Sequence, residues 1–312
     1  MRKGWIYLAV LALAVAGIFL AWQGRGIVQR AAKFKDYVMN DVRDESESAK
    51  RAREYFHDWK PDYDPDLWRV AERIGANEVP TDEEIAAIKN KINTRAKDDM
   101  TLLFLAAWSS TLYERGSPKY EADLAAMDKL LANGANPYLP DRLARDGTDR
   151  LDPDVNENFA SYAAGITPES TDYLRLYLKN GGDPNAVVQI DGTTMAKQVA
   201  TYGNFDGFKL LVDAGADVFR YSKGTTPLFP LMSAGLMERY DFIEYAIGKG
   251  VLRGVDDKRI ADLIDSIDSY SLRNDQTSRD MVRVVRRIIE ITGYRGDQHS
   301  EKILAFGTQH GW

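Results

Sequence analysis

Short apolar stretches along the chain end in glycine at four places. They read LLANGANPYLP, YLKNGGDPNAV, LLVDAGADVFR and, more weakly, YAIGKGVLRGV. Helices often end with a residue in the left-handed conformation, which glycine adopts without strain. Each stretch therefore predicts a helix end, at Gly134, Gly181, Gly215 and Gly250. The intervals of 47, 34 and 35 residues indicate a structural repeat, because periods near 34 are typical of helical arrays.

The residues before each of these glycines predict a pair of helices. Before Gly215, Thr194 starts one helical pattern, Gly203 and Asn204 break it, and residues 205–212 form a second. Before Gly250, the segment GTTPLFPLMSAGL predicts an N-cap at Thr226 and a proline at the first helical position, Pro227. Pro230 would then interrupt this inner helix. The unit of helix, turn, helix and loop occurs four times.

These segments resemble the ankyrin repeat. The family's signature is similar to TTPLF, to the alanine pairs of TLLFLAA and SYAAG, and to LLVDAGADV. The similarity covers residues 99–254. The resemblance implies an all-α ankyrin-repeat solenoid of about four repeats that binds a protein on its concave face. The chain departs from the family pattern in two ways. It has an insertion around Leu112 to Glu121, and the positions at which the family usually has histidine are occupied by Phe104, Ser161, Lys197 and Phe229.

Helical caps are predicted on both sides of the repeats. In residues 67–98, Thr81 and Glu84 have the spacing of a capping box ahead of an apolar stripe at Ile85, Ile88 and Ile92. Residues 255–312 contain two amphipathic stretches that should close the array, since a terminal repeat must cover the exposed core. Their apolar stripes are Ile260, Leu263, Ile264 and Ile267, then Met281, Val284, Val285, Ile288 and Ile289. The opposite face, with Arg283, Arg286 and Arg287, is interpreted as solvated rather than as an anion site.

An apolar segment near the amino terminus predicts a membrane anchor. Residues 5–22 contain eighteen residues without a charge, flanked by Trp5 and Trp22, which suit the two membrane interfaces. A cleaved signal peptide and a buried core helix are the alternatives. A short tail, 1–4, precedes the segment, and a charged helical stalk, 23–66, follows it. Flanking charges do not decide the orientation, but the short tail favours a single-pass bacterial inner-membrane protein with a periplasmic body.

Composition excludes several kinds of chemistry. A net charge of −6 and a pI near 5.3 argue against a nucleic-acid partner. Cysteine is absent, and the three histidines lack metal-ligand or triad spacing. The acidic segment DGTDRLDPDVNEN resembles a calcium loop in its spaced aspartates, but the glycine and the terminal glutamate of such a loop are not in register. We therefore expect no catalytic residues, no metal and no cofactor.

The ankyrin resemblance places certain side chains toward a partner. Inner-helix positions include Trp108, Ser109, Thr201 and Tyr202, and Asp191 is among the finger tips. Tyrosine, tryptophan and arginine are common binding anchors. The predicted contact residues are Trp108, Tyr138, Arg142, Arg145, Gln189, Tyr202, Arg220, Tyr221 and Lys223. Trp108 could equally fill a core gap beside the insertion, and exposed tyrosines are common.

The sequence thus favours a membrane-tethered protein-binding module. It resembles bacterial anchored ankyrin proteins, some of which are immunity proteins against secreted antibacterial effectors such as lipases. The alternative is a scaffold or assembly factor for an envelope enzyme or a secretion component. A hydrolytic enzyme is a third hypothesis, for which no nucleophile and base can be named.

Overall fold

The computed structural model describes residues 64–95, 101–139, 158–189, 192–222, 228–267 and 272–312. All of them belong to a compact unit that spans Trp59–Trp312. These ranges contain helices and one isolated antiparallel bridge, Val187 to Thr194, and no strand. The predicted all-α class is confirmed for this part of the chain. None of its helices is long and apolar enough to cross a membrane, and the predicted anchor, 5–22, lies outside the described residues.

Thirteen α-helices and one short 3-10 helix, Lys89–Lys91, occur in the described ranges. The α-helices are α1 (Pro65–Gly75), α2 (Asp82–Ile88), α3 (Leu102–Ser110), α4 (Pro118–Ala132), α5 (Phe159–Ala163), α6 (Pro168–Lys179), α7 (Met195–Tyr202), α8 (Phe205–Asp213), α9 (Pro230–Leu236), α10 (Tyr240–Gly248), α11 (Asp257–Ile267), α12 (Gln276–Thr292) and α13 (Gln298–Gln309). Eight of them form the predicted repeats: unit 1 is α3 and α4, unit 2 is α5 and α6, unit 3 is α7 and α8, and unit 4 is α9 and α10.

The second helix of every unit ends in the same way. The φ angles of the four glycines are +95° at Gly134, +82° at Gly181, +88° at Gly215 and +74° at Gly250. In unit 3 the N–H of Ala216 donates to the carbonyl of Leu211 at 2.9 Å, and the other units repeat this bond. This is the hydrogen-bond pattern of the Schellman motif, which uses carbonyls that the helix leaves unpaired. The four predicted helix ends are confirmed.

The units stack so that corresponding helices pack against each other. The outer helices form a continuous row of α4, α6, α8, α10 and α12. Among the inner helices, α1 packs on α3, α3 on α5, and α9 on both α7 and α11. The helices α11 and α12 therefore continue both rows beyond unit 4. Their predicted apolar stripes are buried apart from Ile289, which is half-buried. The third C-terminal helix, α13, packs on α12 and α11 and was not predicted separately.

Unit 4 begins three residues later than its sequence motif predicts. Thr226 and Pro227 lie outside the described residues, and α9 begins at Pro230. Pro230 therefore starts the inner helix, and the prediction that it interrupts the helix is wrong. Two features explain the shift. The carbonyl of Leu228 accepts a hydrogen bond from the N–H of Ser222 at 3.1 Å, which holds Leu228 in the loop. The residue before a proline, here Phe229, also disfavours the helical backbone region. Phe229 accordingly has an extended backbone, with φ −94° and ψ 164°.

Unit 1 differs from the others in the connection between its helices. Seven residues, 111–117, join α3 to α4, and α4 itself has 15 residues. The predicted insertion, Leu112 to Glu121, therefore includes the first turn of α4. Ser117 caps this turn and Pro118 occupies its first position, where proline costs no helical hydrogen bond.

The N-terminal helices close the other end of the array. Thr81 and Glu84 form the predicted capping box, with the N–H of Glu84 donating to Thr81 Oγ1 at 3.2 Å and the N–H of Thr81 donating to Glu84 Oε2 at 2.8 Å. The stripe of Ile85, Ile88 and Ile92 is buried. Asn93, which follows α2, bonds to the backbone of the unit 1 loop at the carbonyl of Gly134 and the N–H of Asn136.

Candidate protein-binding surface

The turns between inner and outer helices of units 2, 3 and 4 are joined by hydrogen bonds. Asn204, the N-cap of α8, donates from Nδ2 to the carbonyl of Gly165 in unit 2 at 2.9 Å. Arg239, at the corresponding position before α10, donates from its guanidinium to the carbonyl of Gly203 in unit 3 at 2.9 Å. Each turn is thus held against the preceding one, and the three turns lie side by side.

The inner helices of units 3 and 4 end in a left-handed residue. Gly203 has φ +72°, and Glu238 occupies the corresponding place with φ +55°. Positive φ is uncommon for residues other than glycine. In unit 4 the residue after Glu238, Arg239, bonds from its N–H to Ala234 at 2.9 Å, and Asn204 does the same to Val199. The two turns therefore share one geometry although their sequences differ.

A large apolar side chain is exposed on each of these turns. The exposed fractions are 67% for Ile166, 38% for Tyr202 and 57% for Met237. Each residue precedes the outer helix of its unit by two or three positions. The three side chains therefore lie on adjacent turns of units 2, 3 and 4, which hydrogen bonds hold together. We call Ile166, Tyr202 and Met237 the turn row.

A row of carboxylates accompanies the turn row. Glu169, Asp206 and Asp241 are the second residues of α6, α8 and α10, where a negative charge interacts favourably with the helix dipole. Asp206 pairs with Lys209 at 2.7 Å, and this hydrogen bond lowers the pKa of Asp206 below its usual value. Asp241 pairs with Arg239 at 2.9 Å. We call Glu169, Asp206 and Asp241 the carboxylate row.

Three of the predicted contact residues are exposed in the structure. Tyr202 belongs to the turn row, and Tyr138 is 40% exposed while its hydroxyl bonds to that of Tyr177. Arg220 is exposed and donates to the carbonyl of Asn185 in the preceding loop at 3.0 Å. Arg220 and Tyr138 thus have structural partners as well as exposed surface.

Three other predicted contact residues are half-buried. Gln189 donates to Gln198 at 3.0 Å, and Gln198 donates to the carbonyl of Ser161 in unit 2. The hydroxyl of Tyr221 bonds to Asp262 of α11, and burial together with this carboxylate raises the pKa of Tyr221 to about 12. Trp108 lies half-buried near the end of α3. The remaining predicted residues, Arg142, Arg145 and Lys223, lie outside the described residues.

Sequence reasoning did not identify Ile166 and Met237. The available signal was positional for Met237, which corresponds to Tyr202, the residue before the turn glycine of unit 3. Glu238 stands where that glycine would be, and this substitution obscured the alignment of unit 4. Ile166 instead follows Gly165 and lies one position nearer its outer helix. The prediction selected tyrosine, tryptophan and arginine as binding anchors, and therefore did not include isoleucine or methionine.

The described residues contain no group of three or more histidine, cysteine, aspartate or glutamate side chains placed to hold a metal. Their most perturbed carboxylic acid is Asp123, where burial raises the pKa to about 7. Asp123 is only 1% exposed and accepts a bond from Asn77 Nδ2 at 3.3 Å. A carboxyl group buried in this way has no access to a substrate. Its raised pKa therefore affects the stability of the fold and not a binding site.

Comparison with known proteins found similarity to solved structures but no matching family model. No curated protein matches the chain. An ankyrin repeat domain from Acinetobacter baumannii AYE matches at 16% sequence identity, over 77% of this chain and 98% of that one, with a TM-score of 0.38. The ankyrin-like character of the present chain is visible in its own four units, with their stacked helix pairs and left-handed glycines.

Proposed function

We propose that this chain is a protein-binding module without catalytic activity. The observation that supports it best is the turn row, which exposes three large apolar side chains on turns fixed by unit-to-unit hydrogen bonds. Contiguous exposed apolar surface on a folded protein commonly marks an interaction site. Stacked repeats provide such surfaces over a long distance, because every unit contributes an equivalent position.

The module is tethered to the bacterial inner membrane through residues 5–22, with its body in the periplasm. The support is the uncharged apolar sequence between Trp5 and Trp22. Tethering raises the effective concentration of the module toward a partner that works at the same membrane. Protease added to spheroplasts should degrade the body, and full protection would contradict the orientation.

Within this function, the specific role is an immunity-type inhibitor that sequesters a secreted antibacterial effector, such as a lipase, at the envelope. The test is co-purification of the tagged full chain from native membranes, followed by identification of stoichiometric partners. A toxic hydrolase whose activity falls on complex formation supports the inhibitor role. A housekeeping envelope enzyme that stays active supports the alternative, a scaffold. Absence of any stoichiometric protein partner would contradict the binding function.

A further inference from the structure

The turn row contains one exposed apolar residue from each of units 2, 3 and 4. Stacked helices lie about 8–10 Å apart, so neighbouring members of the turn row are separated by about that distance. One heptad of an α-helix rises about 10.5 Å. A partner helix lying along the row would therefore present one side chain of each heptad to each unit.

Carboxylates outnumber basic groups around the turn row. The three turns and helix starts, 165–169, 202–206 and 237–241, contain four carboxylates and one arginine. That arginine, Arg239, is engaged with the carbonyl of Gly203 and with Asp241. Lys209, in the next turn of α8, pairs with Asp206. Arg175 and Arg115 also lower the pKa of Asp206 while pairing with Asp172. Glu238, at the left-handed position, is exposed. Such a border favours a partner with basic residues beside its apolar stripe.

A second copy of this chain and a lipid surface fit the patch less well. The turn row exposes side-chain surface on the order of 300 Å², the size of the largest apolar patch on a typical monomer. A two-fold dimer would bring like charges together, because each patch meets its own copy. Anionic headgroups would likewise be repelled by the carboxylate row.

We propose that the turn row and the carboxylate row together bind an amphipathic helix of a protein partner, with apolar residues at heptad spacing and basic residues beside them. Ile166, Tyr202 and Met237 each contact one apolar side chain of successive heptads. Glu169, Asp206, Glu238 and Asp241 face the basic flank. This inference rests on the proposed binding function and specifies the chemistry of the partner.

The test uses the full chain in zwitterionic nanodiscs and synthetic helical peptides of about 15–20 residues, enough to cover three units. The first peptide carries leucine at every seventh position with lysine flanks. The second replaces lysine by glutamate, and the third displaces the leucines from heptad spacing. Because the chain has no cysteine, Thr201→Cys, exposed beside Tyr202 but outside the turn row, can be labelled with a fluorophore at one site. Glu290→Cys on α12 provides the matched label away from the row, and empty nanodiscs correct for peptide bound to lipid.

We expect the first peptide to bind and to change fluorescence at position 201 but not at 290. The double variant Ile166→Ser with Met237→Ser should weaken binding at least tenfold with an unchanged melting temperature. Asp206→Asn with Asp241→Asn should weaken binding about threefold or more and reduce its dependence on salt. The control Glu290→Gln with Glu301→Gln, on α12 and α13, should leave binding within twofold.

Equal binding of all three peptides, or equal binding to the turn-row variant, would overturn the inference. The same holds if no peptide binds. The proposed binding function would still hold after any of these results if the chain co-purifies with a stoichiometric protein partner. Loss of every partner from native membranes would instead count against the function itself.

Discussion

The outer helices and the turn row differ in how their surface groups are used. Between outer helices, charged groups of one unit pair with those of the next: Asp128 with Lys179 at 2.5 Å, Asp213 with Lys249 at 2.6 Å, and Glu244 with both Arg283 and Arg287. We call these pairs the outer ladder. The turn row has the opposite character, since its apolar side chains remain largely exposed. The outer ladder contributes to the register of the stack, whereas the turn row is available to a partner.

The outer ladder also explains the arginines of α12. Their sequence pattern favours a solvated face, yet Arg283 and Arg287 both bond to Glu244 of α10, and Arg286 donates to the carbonyl of Trp312. Bonding to Glu244 raises the pKa of Arg283 above its usual value. The two arginines remain 55% and 42% exposed in their side chains, so the contribution of the pairs to stability is modest.

The largest predicted contrast concerns two apolar residues of unit 4. Phe242 is fully buried against Phe208, with ring centroids 4.8 Å apart, and Phe242→Ala should lower the free energy of unfolding by about 3–5 kcal/mol. Met237→Ala, in the turn row, should change it by less than about 0.5 kcal/mol. Urea denaturation of both variants measures the contrast. A large loss for Met237→Ala would mean that the turn row belongs to the core.

The second prediction uses the buried carboxyl of α4. The pKa of Asp123 is about 7, above its unfolded value of about 3.9. The folded state therefore holds the proton more tightly than the unfolded state. The stability that protonated Asp123 contributes to the fold is complete below about pH 4 and is lost as pH rises through 7. This group should lower the free energy of unfolding by on the order of 2–4 kcal/mol across that range.

Asp123→Asn isolates this effect, because the amide is neutral at every pH in the range. The difference in unfolding free energy between wild type and variant, measured at several pH values, should change in the variant's favour toward pH 8. Asp123 is faced by Asn77, which lies between α1 and α2, by Ser109 of α3 and by Tyr173 of α6. A pH-independent difference would show that Asp123 is ionised throughout.

The third prediction concerns the end of an outer helix. Gly215 has φ +88°, so Gly215→Val should lower the free energy of unfolding by about 1–2 kcal/mol, the cost of a side chain in left-handed backbone. Gly248 is the matched control, because it is helical and a methyl group there would meet open space. Gly248→Ala should be neutral or slightly stabilising. An unchanged melting temperature for Gly215→Val would contradict the assigned helix end.

The smallest effect is expected in the outer ladder. Glu244→Gln removes the negative charge that both arginines share and should cost about 1 kcal/mol at low salt. The cost should decrease at high salt, because screening weakens partly exposed pairs. Glu290→Gln on the exposed face of α12 controls for the loss of one charge. A salt-independent cost as large as that of Phe242→Ala would place Glu244 in the core rather than on the ladder.

The sequence by itself determined the repeat. Gly134, Gly181, Gly215 and Gly250 identified four helix ends, because a left-handed backbone selects glycine locally. Thr81 with Glu84, and Thr194 at the start of α7, identified helix starts for an equally local reason, since a capping side chain bonds within three residues. The amphipathic periods of α11 and α12 correctly assigned their buried faces.

Only the tertiary structure decided which exposed residues lie on adjacent turns, and it corrected where unit 4 begins. The TTPLF motif predicted a helix start at Pro227, but the bond from Ser222 to Leu228 and the backbone restriction before Pro230 moved it. Ile166, Tyr202 and Met237 lie about 35 residues apart in sequence, and the bonds of Asn204 and Arg239 to the preceding turns place them on adjacent turns. Local propensity contains no information about such contacts, because they depend on how one unit packs on the next.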